Sequence, residues 1–140
     1  MISMHTYTLT RALATGPDMA DITQDLKRCL AESGVTCGFA HLFAVGSTGS
    51  LTTVEYETGV VEDLKRAITE TAPPDRVYAH EMTWHDGNGH SHVQAALIGP
   101  SLSIPVRNGR LTLGTWQQVL VINHDNGPRD RKIEVTIQGS

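Results

Sequence analysis

The apolar residues of this chain recur at helical spacing twice in its first half and at strand spacing through most of its second. That change of period does most to restrict the fold. Ile22, Leu26, Cys29 and Leu30 mark one amphipathic helix, with Asp21 and Gln24 placed as a capping box and Gly34 as its stop. Val60, Val61, Leu64 and Ile68 mark a second, which must end before Pro73-Pro74. Between and around them, Met4–Leu9, Val35–Val45 and Leu51–Tyr56 read as strands, the last two joined by a turn at Ser47–Gly49. Arg76–His80 reads as a short strand that leads into a polar loop, Trp84–Gly89. Ser101–Val106 and Arg110–Leu113 flank Asn108-Gly109, a pair that tolerates positive φ and so predicts a tight hairpin. Trp116–Asn123 and Lys132–Ile137 follow, separated by Asp125-Asn126-Gly127-Pro128. Two early helices and several hairpin-linked late strands predict an α+β fold on an antiparallel sheet, with both helices in the N-terminal half. No linker, repeat or low-complexity tract divides residues 1–140, so one domain is expected.

Composition narrows the function. A net charge of −4 and the lack of any Lys/Arg run longer than two argue against nucleic acid as a partner. No stretch approaches the roughly 20 apolar residues of a membrane span, and the start of the chain lacks a signal-peptide pattern. Cys29 and Cys37 read as small buried apolar residues rather than a disulfide pair. A cytoplasmic protein is expected. With aromatics at only 5%, its core must rest on Val, Ile, Leu and Ala.

Three of seven histidines fall within eight residues, in Trp84-His85-Asp86-Gly87-Asn88-Gly89-His90-Ser91-His92. Imidazole is the commonest protein ligand for zinc, and catalytic zinc sites often use three protein ligands plus an open position. If His90 and His92 lie in extended backbone they share a face, and Gly87 and Gly89 let the loop return His85 to the same point. Asp86 or Asn88 then serves as a fourth ligand or orients an imidazole. If instead a helix starts at Ser91, the histidines flank its N-terminus and an anion is as natural an occupant as a metal. The competing reading is a polar surface loop. Gly46-Ser47-Thr48-Gly49-Ser50 offers hydroxyls and backbone N–H groups for phosphate, but lacks the Gly-Lys-Ser/Thr ending of a P-loop. Glu55 and Glu57, at i and i+2, are a possible acid/base or metal pair at a strand end. Trp116 is expected to lie in the core or a subunit interface, or to stack on a ligand.

Several stretches together carry a resemblance. They are Gly99-Pro100-Ser101-Leu102-Ser103-Ile104-Pro105-Val106, Asn108-Gly109-Arg110-Leu111-Thr112-Leu113-Gly114-Thr115-Trp116-Gln117, Asn88-Gly89-His90-Ser91-His92, Gln94-Ala95-Ala96-Leu97, Thr52–Glu57 and Gly127-Pro128-Arg129. Taken in order, they resemble the YjbQ-like family, whose members are often labelled secondary thiamine-phosphate synthases. The resemblance implies an α+β chain whose mainly antiparallel sheets pack as a β-sandwich, assembled as a homotrimer with sites near subunit boundaries and a metal or anion held by the histidine segment. The implied reaction joins a hydroxymethylpyrimidine diphosphate to a thiazole phosphate and releases diphosphate. Many members carry His-Thr-Thr where this chain has Gly46-Ser47-Thr48, so a ligand or proton carrier found in them is missing here.

The expectation is therefore a transferase-like enzyme acting on a small phosphorylated substrate. His85, His90 and Glu55 are the expected acid/base groups, and Ser47, Thr48 and Asn88 the substrate- or cofactor-binding groups. His85, His90 and His92 are the expected ligands of a divalent metal, zinc by chemistry, with magnesium an option beside a diphosphate. A metal-dependent hydrolase and a non-catalytic trimer that binds a metabolite or metal are the alternatives.

Overall fold

The computed structural model describes residues 1–140. Eight strands and four helices follow in chain order: β1 Ser3–Leu13, β2 Asp18–Asp21, α1 Thr23–Ser33, β3 Gly38–Val45, β4 Gly49–Val54, α2 Thr58–Thr71, α3 Glu81–Trp84, α4 Gly89–Ile98, β5 Ser101–Arg107, β6 Arg110–Leu111, β7 Gln118–Asn123 and β8 Arg129–Gly139. The strands form two sheets, ordered β1-β8-β3-β5-β6 and β2-β7-β4, with every pairing antiparallel. The α+β class and the layered antiparallel sheets match the sequence reading.

The layers follow from which face of each strand is apolar. On β8, Ile133, Val135 and Ile137 point inward and meet Ala40, Leu42 and Ala44 of β3, Ile104 and Val106 of β5, and Val119 and Val121 of β7. Ile22, Leu26, Cys29 and Leu30 add the apolar stripe of α1 to the same core. Leu120 and Ile122 alternate to the opposite face of β7, where they pack with Met19 of β2 and Ile68 of α2. Strand β7 is thus covered on both faces, which explains its unbroken Val119–Ile122 run better than the polar alternation expected there. The outer face of the five-stranded sheet is open, with Phe39, Phe43 and Val45 exposed along β3. The β3–β8 pair is held close at one end, where Gly38 lies opposite Gly139 and a Cβ on either would strike the partner's backbone.

Local signals set several element ends. Gly34 (φ 71) closes α1 in the left-handed region, as expected. Asn108 (φ 52) and Gly109 (φ 71) make the two-residue β5–β6 turn. The capping box on α1 does not form: Asp21 Oδ1 accepts from both N and Oγ1 of Thr23 instead. Pro73-Pro74 follows α2, whose N-terminus is capped by the Glu57 carboxylate accepting from Gly59 N and Val60 N. Two helices lie beyond the first half. Arg76–His80 is not a strand but leads into the single turn α3, and α4 begins at Gly89, two residues before the Ser91 start considered from sequence. Cys29 is buried as expected. Cys37 instead sits exposed just before β3, and both thiols are free.

Candidate functional site

Three chain segments converge on a cavity of about 410 Å³ that no hydrophobic residue lines. The β3–β4 turn contributes Gly46, Ser47 and Thr48; the run into α4 contributes Asp86 and Asn88; α4 contributes His92; and the β7–β8 turn with the start of β8 contributes Asp125, Arg129, Asp130 and Arg131. Ser47, Thr48, Asn88 and His92, all singled out from sequence, are therefore brought together. The arginines and Asp125 were not foreseen.

Hydrogen bonding divides these groups into those already committed and those free. Asp125 is buried, and its Oδ2 accepts from Thr48 Oγ1 (3.0 Å) and Asn88 Nδ2 (3.0 Å) while Arg129 Nε lies 3.3 Å away. Burial alone would raise its carboxyl pKa; the bonds from Asn88 and Thr48, with Arg129 beside it, hold it below the usual range. The Asn88 side chain is held at both ends, because its Oδ1 also accepts from Asn126 N. Thr48 donates to Asp125 and accepts from Arg131 Nη2. Thr48 and Asn88 are thus part of the frame of the pocket, with the Thr48 hydroxyl proton and one Asn88 amide proton committed to Asp125. Ser47 is exposed and free.

Arg131 is the unusual member. It occupies the inward-facing row of β8 that Ile133, Val135 and Ile137 continue, and only 6% of its surface is exposed. Its Nε and Nη2 donate to Asn123 Oδ1 (3.1 and 2.6 Å). No carboxylate lies within ion-pair distance of it, whereas Arg129 has Asp125.

Behind the pocket sits a second buried group. His124 is fully buried; its backbone N–H donates to Thr48 O (2.8 Å), and its ring bridges Gln94 and Ser50. Gln94 Nε2 donates to Ala72 O, which leaves Gln94 Oε1 to accept from His124 Nδ1 (3.0 Å). Nε2 must then accept from Ser50 Oγ (2.7 Å), which fixes the neutral tautomer. Burial, with Arg131 and His90 nearby, pushes the His124 pKa down to about 4. The Ser50–His124–Gln94 line resembles a catalytic triad in type. With Ser50 also fully buried, its hydroxyl cannot reach a substrate.

The three sequence-predicted histidines go to different places. His85 caps α3 in the left-handed region (φ 55), exposed to solvent and outside the pocket. His90 is buried in the first turn of α4, 6.4 Å from the Tyr78 ring, and its Nδ1 has no partner. Burial lowers its pKa. His92 lines the pocket. Residues two apart share a face on a strand but lie about 200° apart around a helix, so the helical backbone of α4 sends His90 inward and His92 to the pocket. The side chains that do offer donor atoms within 4.8 Å of one another are His80, Glu81 and Asp86. His80 Nε2 is 3.1 Å from Asp86 Oδ1, and the His80 and His92 rings lie 4.5 Å apart. The signal for His80 was present in the sequence, five residues before His85, but the strand expected over Arg76–His80 hid it.

Glu55 lies beyond the end of β4 and lines a different cavity of about 510 Å³, with Lys27, Tyr56 and Trp116. Glu57 lines it too, but its carboxylate is spent on the cap of α2. Trp116 is 72% exposed there, so within the single chain it is not a core residue.

Fold and pocket together define a small α+β domain with a polar, arginine-bearing site built by two sheet turns and one helix. The family model described as UPF0047 protein YjbQ-like matches residues 7–140. A UPF0047 protein of Methanothermobacter thermautotrophicus is 34% identical over 140 residues, covering 99% of this chain and 96% of that one. UPF0047 protein YugU of Bacillus subtilis is 34% identical over 124 residues, covering 87% and 90%. The crystal structure of a YbjQ-like protein of unknown function from Sulfolobus solfataricus superposes with a TM-score of 0.95 at 29% identity and full coverage of both chains. A YjbQ/UPF0047 structure from Clostridium acetobutylicum gives 0.81 at 35% identity, covering 95% of this chain and 98% of its own. The chain belongs to the YjbQ-like UPF0047 family.

Proposed function

We propose that the protein is an enzyme that binds a small phosphorylated substrate in the pocket between the β3–β4 turn, α4 and the β7–β8 turn. The observation that carries this reading is the wholly polar lining of the pocket, with two arginines and a histidine facing a space of about 410 Å³. Arginine matches phosphate oxygens in charge and geometry, and His92 adds an imidazole that can donate or accept a hydrogen bond. The reaction class is the phosphoryl-bearing transfer that the family label names, thiamine-phosphate synthesis, as a weak activity. A divalent cation accompanies it, held by His80, Glu81 and Asp86 beside the pocket rather than by His85, His90 and His92. One imidazole and two carboxylates suit zinc. Such an ion would neutralise a diphosphate leaving group.

Expression at high level in a bacterium lacking thiamine-phosphate synthase is expected to allow slow growth without thiamine. Absence of growth with the protein present in quantity, together with release of inorganic phosphate from phosphorylated metabolites, would favour the hydrolase. Tight binding with no turnover of any member of such a panel would favour the non-catalytic binding protein.

The assembly we propose is a homotrimer in the cytoplasm. The open face of the five-stranded sheet, with Phe39, Phe43 and Val45 exposed, supports an association that covers it. Two free cysteines fit a reducing compartment, and no helix is long and apolar enough to cross a membrane. Light scattering after size exclusion should give about three times the 15.2 kDa chain mass; a monodisperse monomer at micromolar concentration would end the trimer proposal.

A further inference from the structure

A buried arginine normally meets a carboxylate, because an uncompensated buried charge costs several kcal/mol. Arg131 does not. Its Nε and Nη2 go to the neutral oxygens of Asn123 and Thr48, and Nη1 makes no hydrogen bond within the chain. The carboxylate behind Thr48, Asp125, is turned to Thr48, Asn88, Gly127 and Arg129 and makes no ion pair with Arg131. The free nitrogen faces the β3–β4 turn at Gly46, where an added Cβ would lie 3.1 Å from it. Gly46 is part of the pocket wall, and its bare backbone leaves the approach to Nη1 open.

We infer that Arg131 is the anchor of a phosphoryl subsite. Its Nη1 binds the oxygens of a tetrahedral phosphate dianion, with the free Ser47 hydroxyl and Arg129 at the rim. The inference rests on the pocket being the substrate site, and it assigns the anion to Arg131 rather than to the hydroxyls of the β3–β4 turn alone. Thr48 and Asn123 act through Arg131: they hold two of its nitrogens so that the third is aimed outward. Asp86 and Asp130 on the same wall disfavour a ligand that presents only negative charge on all sides. The preferred ligand is therefore a phosphate ester, whose single anionic end enters against Arg131 while its neutral or cationic remainder lies toward the two carboxylates.

The test is calorimetric titration of the full chain with phosphoethanolamine, a phosphate ester with a cationic remainder, and, separately, inorganic phosphate, for the wild type, Arg131→Lys, Arg131→Gln, Ser47→Ala and Arg129→Gln. The expected pattern is at least tenfold weaker binding in both Arg131 variants and a two- to threefold loss in Ser47→Ala and Arg129→Gln. Because a variant at a buried position may fail to fold, the wild type carries a second readout. Arginine side-chain 15N–1H resonances of Arg131 should shift and exchange more slowly with water as phosphate is added. Folded Arg131 variants that bind phosphate within twofold of wild type, or Arg131 signals that stay still while phosphate binds, overturn the subsite and leave the pocket reading standing. A wild type that neither binds these anions nor turns over any phosphorylated compound overturns both.

Discussion

Between pH 6.5 and 4 the folded protein is expected to lose about 3 kcal/mol of stability, and His124 is the main cause. An unfolded histidine takes up a proton near 6.5, whereas His124 in the fold refuses one until about pH 4. Across that window the unfolded chain binds more protons than the folded one, so stability rises with pH and is fully present above 6.5. A depression of that size is worth about 3 kcal/mol. The physical reason is that a proton on Nε2 has no acceptor other than Ser50 Oγ, which would have to turn its own proton away inside a closed core beside Arg131. His90 is shifted in the same direction by burial and adds to the slope. Urea unfolding from pH 7.5 down to 4.5 measures the effect. His124→Gln should be less stable at pH 7.5, because Ser50 and Gln94 lose part of their bonding, yet much flatter with pH. An equally steep profile in that variant would assign the slope to other groups.

This sensitivity bears on the site because His124 ties its parts together. Its backbone N–H holds Thr48, its ring holds Gln94 of α4, and its neighbour Asp125 carries Thr48 and Asn88. None of that was legible in the sequence. His124 follows an apolar strand and reads as the first residue of a turn, and only the packing of α4 against β4 closes the space around it. Arg131 is a different case. The alternation Ile133, Val135, Ile137 was plain, and extending it by one step places Arg131 on the inner row; the charge made Lys132 look like the natural start of the strand. The early helices, the Asn108-Gly109 hairpin and the strand–turn–strand around Ser47 were legible because each rests on a local rule of period or turn chemistry. The 76–98 segment was not. Glycines at 87 and 89 suggested a loop, and a helix beginning at Gly89 is sustained by tertiary contacts that no local rule reports: Glu81 Oε1 accepts from Gly89 N (2.7 Å), and Tyr78 closes over the same residue. Reading that segment as extended is what placed His90 and His92 on one face.

Zinc added to the metal-stripped full chain is expected to bind at about one equivalent, and His80→Ala to reduce that to near zero while His85→Ala leaves it unchanged. His80, Glu81 and Asp86 present donor atoms within 4.8 Å of one another, and His85, expected from sequence as one of three histidine ligands, is turned to solvent by its left-handed backbone. Asp86 returns to His80 because His85 (φ 55) and Gly87 (φ 69) reverse the chain on either side of it. Its carboxylate accepts from Asn88 N and pairs with His80; burial works against the charge, but those bonds prevail and keep its pKa below the usual range. Glu81 spends Oε1 on Gly89 N and keeps Oε2 for a ligand. The His92 ring lies 4.5 Å from that of His80 at a tilt of 51° and offers a neighbouring imidazole, so His92→Ala should weaken binding without abolishing it. Imidazole must be neutral to ligate, so protons compete with the ion and occupancy should fall on acidification. Inductively coupled plasma analysis after dialysis, with a thermal unfolding curve for each variant to show that it is folded, reads the stoichiometry directly. Full zinc in folded His80→Ala, with loss in His85→Ala or His90→Ala, would return the ion to the histidine trio and mean that the loop rearranges around it.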